Sequence, residues 1–237
     1  MIDAIKAAQI AMLEDQERLQ TISLNISNMQ TAGYKRQLLE AGSFDEHLRA
    51  DAASISQHMD SAQMLNQGTL MQTDNTKDIA LAGDGFIEVQ TKEGTFYSRR
   101  GDLHVNEQGQ LSAATGGLIM GQSGPIQVDD NEFKINTQGT IYIDNRKIDQ
   151  LNIVHFEPNQ SLKYRGQGLY ETQETPAPAL ATTRVLQGFI EQSNVKSVDE
   201  MMEMIKTSRH YEASQRVMHI ADGLLSTAIN QLGEGNV

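Results

Sequence analysis

The chain has 237 residues, with Lys+Arg 19 against Asp+Glu 31 and a net charge of −12, which excludes the basic footprint that nucleic-acid binding needs. It contains no cysteine, so disulfides, thiolate catalysis and cysteine-based metal sites are excluded together. No run of about eighteen apolar residues occurs, so no segment is expected to span a membrane as a helix.

The opening stretch MIDAIKAAQIAMLEDQERL carries Asp3, Glu14 and Asp15 and lacks the apolar region of a cleavable secretory signal. Ile5, Met12, Leu19 and Ile26 recur every seven residues, with Ala8, Ile22 and Met29 on the adjoining row. That spacing predicts a helix with a coiled-coil seam, ended around Thr31, Ala32 and Gly33, where Gly33 would take the left-handed conformation. Residues 36–77 are polar and follow no sustained period, which predicts an extended connector with one short helical piece.

From Asp78 onward the period shortens. In GFIEVQTKEGTFYSRR, Ile87 and Val89 alternate with polar neighbours before a turn at Gly94, while LHVNEQGQL and FKINTQGTIYIDN predict hairpins around Gly109 and Gly139. After a Pro-containing return, TPAPALATT, comes a second helix. Ser197 and Glu200 have the spacing of a capping box. Beyond them, Met204, Tyr211, Met218, Leu225 and Leu232 repeat every seven residues, with Thr207, Ser214, Ala221 and Ala228 three places after the first four. The expected fold is therefore α+β. N- and C-terminal helices form a coiled-coil-like hairpin around an inserted antiparallel β-rich domain, a barrel or a sandwich. Its parts are residues 1–35 (first helix), 36–77 (connector), 78–186 (β-rich domain) and 187–237 (second helix).

Catalytic constellations are missing. There is no phosphate loop followed by Lys, no G-x-S-x-G elbow and no His pair at metal-ligand spacing. His47, His58, His104, His155, His210 and His219 are scattered, and Asp129 with Asp130 lacks the pattern of a calcium loop. No enzymatic role, cofactor or metal is expected.

Three stretches carry a family resemblance. NISNMQTAGYKR, with Asn25, Ser27, Asn28, Thr31, Gly33, Tyr34 and Lys35, resembles the N-terminal signature of the flagellar rod and hook proteins. DIALAGDGFIEVQT, followed by Tyr97, Ser98, Arg99 and Gly101, is similar to their central signature. QGFIEQSNVKSVDEMMEMIKTSRHYEA is similar to their C-terminal one through Gly188, Glu191, Ser193, Asn194, Val195, Glu200, Met201, Met204, Ile205, Arg209, Tyr211 and Glu212. The chain departs from the usual pattern at Ser27, Ala32, Ile87 and Leu103. Its short length, the opening MIDAIKAA and the modest β domain look most like the proximal rod type, with the distal rod type as close competitor and the hook type further off.

The resemblance implies a structural subunit of the bacterial flagellar basal-body rod. Such a subunit polymerises through its terminal helices into a periplasmic drive shaft that carries torque to hook and filament, with its β domain outward. Its partners would be copies of itself, other proximal and distal rod proteins and the flagellar type III export apparatus, which needs no cleavable signal; neither nucleic acid nor a membrane span enters. The residues implied in polymerisation are Asn25, Asn28, Gly33, Tyr34, Lys35, Ser193, Asn194, Val195, Glu200, Met201, Met204, Ile205, Arg209, Tyr211, Met218 and Leu225. On periodicity alone a soluble coiled-coil adaptor displaying a β domain stays open beside it.

Overall fold

The computed structural model describes residues 2–39, 61–129, 132–157, 160 and 162–234. Within the connector, residues 40–60 lie outside them; its described residues form the short strands Gln37–Leu39, Ser61–Gln63 and Leu70–Gln72 and no helix. The chain divides into two compact units. One comprises residues 1–27, 37–62 and 196–237, and the other residues 28–36 and 63–195.

The first unit is built on two helices, α1 (Ile2–Ser27) and α2 (Ser197–Glu234), which pack against each other. Its most buried helical rows are Ala8, Asp15 and Ile22 on α1 and Glu200, Thr207, Ser214 and Ala221 on α2, both spaced by seven. The large residues of the expected seam, Ile5, Met12, Leu19 and Ile26 with Met204, Tyr211, Met218 and Leu225, are half-buried and flank those rows. On α2 small side chains fill most of that row and let two helix backbones approach closely, whereas on α1 the deepest side chains are Ile10, Asn25 and Ile22.

Two helix ends differ from expectation. α1 stops at Ser27, six residues before Gly33, because Asn25 ties the chain back on itself. Its Oδ1 accepts the Gln37 amide at 2.9 Å and its Nδ2 donates to the Gln37 carbonyl at 2.9 Å, so the backbone must leave the helix and return within that span. At the other terminus the Glu200 amide donates to the Lys196 carbonyl at 3.1 Å, which moves the cap one residue ahead of Ser197.

The second unit is antiparallel β structure. Its largest sheet follows the path Lys163–Gly166, Leu169–Glu171, Gly94–Ser98, Phe86–Thr91, Leu118–Gly121, Leu111–Ala113 and Leu103–Val105. The two end strands do not pair, so the sheet stays open and the barrel, one of the two expected forms, is not closed. Phe133–Ile135, Thr140–Ile143 and Arg146–Gln150 form a separate three-stranded sheet.

Both expected hairpins are present, and both use the same chemistry. Asn106 Oδ1 accepts the amides of Gln108 and Gln110 at 3.0 and 2.9 Å, and Asn136 Oδ1 accepts those of Gln138 and Thr140 at 3.0 and 2.8 Å. Gly109 and Gly139 follow with φ of 75° and 79°, the left-handed region that glycine enters without cost.

Strand Phe86–Thr91 separates two cores. Ile87 and Val89 join an aliphatic cluster with Ile79, Leu81, Leu111, Ile119, Ile126 and Ile141, whereas Phe86 joins an aromatic one with Tyr97, Phe156 and Tyr170. Rings of the second cluster meet edge to face, Phe86 to Phe156 at 5.3 Å and Tyr97 to Phe156 at 5.0 Å.

Candidate functional site

The three sequence motifs converge in the β unit on one buried carboxylate. Strand Phe189–Glu191 pairs with Leu70–Gln72 and ends by turning the Glu191 side chain inward, where it has no exposed surface. Glu191 Oε1 accepts the Lys35 ammonium at 2.6 Å and the Gly68 amide at 2.8 Å, and Oε2 accepts Arg99 Nη1 at 2.9 Å. Lys35 comes from the first motif, Arg99 from the second and Glu191 from the third.

Two cations share one anion, which leaves an excess positive charge inside the protein. Backbone carbonyls meet it: Lys35 Nζ donates to Asn66 at 2.9 Å, Arg99 Nη2 to Gly83 at 2.6 Å and Nη1 to Leu81 at 3.4 Å. The guanidinium also lies 5.4 Å from the centre of the Phe86 ring. Arg99 Nε is buried without a partner among the described residues. Burial holds the Lys35 ammonium below the ordinary lysine value, and the Glu191 charge opposes that shift. An ion cluster of this kind adds little net stability over an apolar core, but each member becomes costly to remove singly.

Backbone bonds complete the junction. The Gly33 amide donates to the Glu191 carbonyl at 2.7 Å, and the Lys35 amide donates to the Tyr170 hydroxyl at 2.8 Å. Tyr34 is fully buried with its ring edge on Tyr164 at 5.1 Å. Asn194 acts as a second staple: its Oδ1 accepts the Arg36 amide at 2.7 Å, and its Nδ2 donates to the carbonyls of Met64 and Asn66 at 2.8 and 3.0 Å. Gly33 has φ 66° as expected, but it serves this junction rather than the end of α1. A Cβ on it would lie 2.4 Å from the Arg99 carbonyl carbon, so glycine is required by the closeness of two backbones as well as by conformation.

Of the residues singled out in the sequence, the β unit thus gathers Gly33, Tyr34, Lys35, Ser193, Asn194 and Val195, where Ser193 Oγ accepts the Val195 amide at 3.2 Å. Asn28 belongs to the same unit and accepts from Thr31 Oγ1 at 3.2 Å and from the Tyr164 hydroxyl at 3.4 Å. In the helical unit, Asn25 Nδ2 donates to Glu200 Oε2 at 3.2 Å, both groups being buried. Met204, Tyr211, Met218 and Leu225 are half-buried there, while Met201, Ile205 and Arg209 are exposed. In the sequence Glu191 and Arg99 stand within motifs that carry no sign of their role, and nothing marks Tyr170, Asn66 or Gly68. A charged residue closing the apolar run GFIE was the one available hint.

The tyrosines around the junction have a measurable signature. Burial pushes the Tyr170 hydroxyl far above the ordinary tyrosine value, opposed by its bond from the Lys35 amide; burial also raises Tyr97 and Tyr164. Above a pH of about 10 the unfolded chain loses these protons while the folded one keeps them, so their stabilisation is complete below that pH and falls as pH rises. Lys35 acts in the opposite sense: its value is lowered on folding, so stability gains with rising pH until the unfolded lysine titrates at about 10.4. Absorbance titration of the native protein should therefore show delayed ionisation for part of its 6 tyrosines, released together as the chain unfolds. Ionisation of all six in one early step would contradict the buried junction.

Comparison with known proteins agrees with the motif reading. The family described as flagellar basal body rod FlgEFG protein C-terminal matches residues 186–232, and the flagellar hook protein FlgE/F/G D1 domain matches residues 80–143. The flagellar basal-body rod protein FlgG of Buchnera aphidicola (Acyrthosiphon pisum) is 30% identical over 258 residues, covering 95% of this chain and 98% of that protein. The rod protein FlgF of Mesorhizobium japonicum is 26% identical over 239 residues, covering 98% and 99%. The hook-basal body complex protein FlhO of Bacillus subtilis is 28% identical over 269 residues, covering 99% and 100%. Residues 186–232 hold Glu191 and Asn194, and residues 80–143 hold Arg99, so the matched regions contain two of the three charged members of the junction, while Lys35 lies outside them. The chain belongs to the FlgEFG family of flagellar basal-body rod and hook proteins.

Proposed function

We propose that this rod-family subunit has a purely structural task and polymerises through its terminal helices, paired as a coiled-coil-like hairpin, into the shaft that carries torque to hook and filament. The supporting observation is the outer face of α2. Val198, Met201, Met202, Ile205 and Ile220 are each between 51% and 66% exposed and lie off the buried row of Glu200, Thr207, Ser214 and Ala221. A helix apolar on two sides has one side left for further helices. Contacts that repeat head to tail without closing give a filament, which is the arrangement a rod requires.

Placement as a proximal rod subunit rests on length. The FlgF alignment spans 239 positions, against 258 for the Buchnera FlgG and 269 for FlhO, so those two carry residues that this chain lacks. A distal position is the second reading, favoured by the 30% identity to FlgG. Export through the flagellar type III apparatus and a periplasmic location belong to the same proposal, as do the boundaries 1–35, 36–77, 78–186 and 187–237. The polymerisation roles of Met201, Ile205 and Arg209 on the exposed face also belong to it, together with those of Met204, Tyr211, Met218 and Leu225 beside the helix seam.

Ile220→Asp tests the exposed face. The substitution puts a charge on a side chain that is 64% exposed, so the monomer should fold as before while assembly into rods, read by electron microscopy and swimming, is lost. Normal swimming of the Ile220→Asp strain would overturn the assignment of that face.

A further inference from the structure

Side-chain bridges among the described residues join the helices of the helical unit. Asn25 donates to Glu200 at 3.2 Å, and Asp15 Oδ2 lies 2.6 Å from His210 Nδ1. Ten residues back along α1, from Asn25 to Asp15, correspond to ten residues forward along α2, from Glu200 to His210. The helices therefore run antiparallel in a defined register. In that register Ile22, Asp15 and Ala8 fall between successive members of the row Glu200, Thr207, Ser214 and Ala221, so the two buried rows interleave.

Shape separates this register from its neighbours only in part. Both rows repeat every seven residues, and a displacement by seven in either direction still leaves two of the three α1 residues between members of the α2 row. The polar groups complete the selection. Displaced one way, the Asp15 carboxylate, only 4% exposed, lies level with the aliphatic Val217; displaced the other way, it lies level with Glu203, and Asn25 falls opposite Ser193, ahead of the helix. The native register alone sets it against an imidazole.

We infer that Asp15 and His210 form a register key, a polar pair that makes one antiparallel alignment of α1 and α2 preferable to its seven-residue neighbours. A repeating small-residue row accepts a helix in several positions. In a protein whose helices meet those of other copies, that tolerance would allow mispairing. The inference concerns pairing within one chain and stands whether or not the subunit occupies the proximal rod.

The natural lack of cysteine allows two spin labels to be placed cleanly, at Gln16→Cys and Arg209→Cys, exposed positions that are level with each other. Pulsed dipolar spectroscopy on the full chain should give a single narrow distance. With Asp15→Leu and His210→Leu added, helix content and thermal stability hold or rise, because a buried carboxylate has become apolar. The distance distribution nevertheless splits, gaining a population displaced along the axis by about 10 Å, seven residues at ~1.5 Å each. Exchanging the pair, Asp15→His with His210→Asp, restores the single distance. An unsplit, unshifted distance in the doubly apolar chain overturns the proposal, as does a split that the exchange fails to merge. Should the doubly apolar chain aggregate, the isosteric Asp15→Asn takes its place: a broadened distance supports the key, an unchanged one overturns it.

Discussion

Glu191→Ala should be the most destabilising single substitution in the β unit, at about 3–5 kcal/mol, because it strands two buried cations at once. Lys35 and Arg99 are no more than 2% exposed and have no other carboxylate within ion-pair distance among the described residues. Neither can reach water without opening the junction. Lys35→Met should cost less, about 1–3 kcal/mol, since it leaves the 2.9 Å Arg99–Glu191 pair intact and fills the lysine stem's space with an apolar chain. The order of the two is the diagnostic. Denaturant unfolding followed by far-ultraviolet circular dichroism and by protease resistance of the β unit would reveal it. Equal stability of Glu191→Ala and the parent would mean that the charge cluster does not hold the junction.

Gly33→Ala has the second large effect, for a steric reason. A side chain at φ 66° costs about 1–2 kcal/mol in any surroundings. Here the added Cβ would also lie 2.4, 2.5 and 2.6 Å from the Arg99 carbonyl carbon, its oxygen and the Arg100 amide, all backbone atoms that cannot rotate aside. Relief requires moving the Gly33 segment away from the Arg99–Arg100 backbone, at the expense of the 2.7 Å bond to the Glu191 carbonyl. The expected total is about 2–4 kcal/mol. Gly33→Asn separates the two causes: asparagine tolerates the left-handed conformation yet carries the same Cβ. If close approach governs the site, the asparagine variant melts as low as the alanine variant; recovery of stability in Gly33→Asn would show that only conformation matters.

What the sequence revealed and what it hid follow from distance along the chain. The helices were legible because a seven-residue repeat is written locally, and the hairpins at Gly109 and Gly139 because each turn carries its own asparagine and glycine. α1 ends six residues ahead of Gly33, since the bond that ends it joins the Gln37 amide to Asn25 and is invisible to periodicity. Barrel closure was undecidable for the same reason, because it depends on whether Lys163–Gly166 meets Leu103–Val105. The charge cluster lies furthest from local signals, joining Lys35 to Glu191 across 156 positions and Arg99 to Glu191 across 92. Motif resemblance marked all three residues without saying that they touch. The helix rows show the subtler limit: periodicity marks both the large apolar row and the row beside it holding Ala8, Ile22, Thr207, Ser214 and Ala221, and only the packed helices show that the second is the more buried.

Deleting the gene in its host and imaging isolated basal bodies by electron microscopy would test whether this family member builds the rod. Rings without a complete rod, hook or filament, together with loss of swimming, are the predicted result, and the height at which the rod stops would separate proximal from distal placement. Complete flagella and normal swimming in the deletion strain would contradict it.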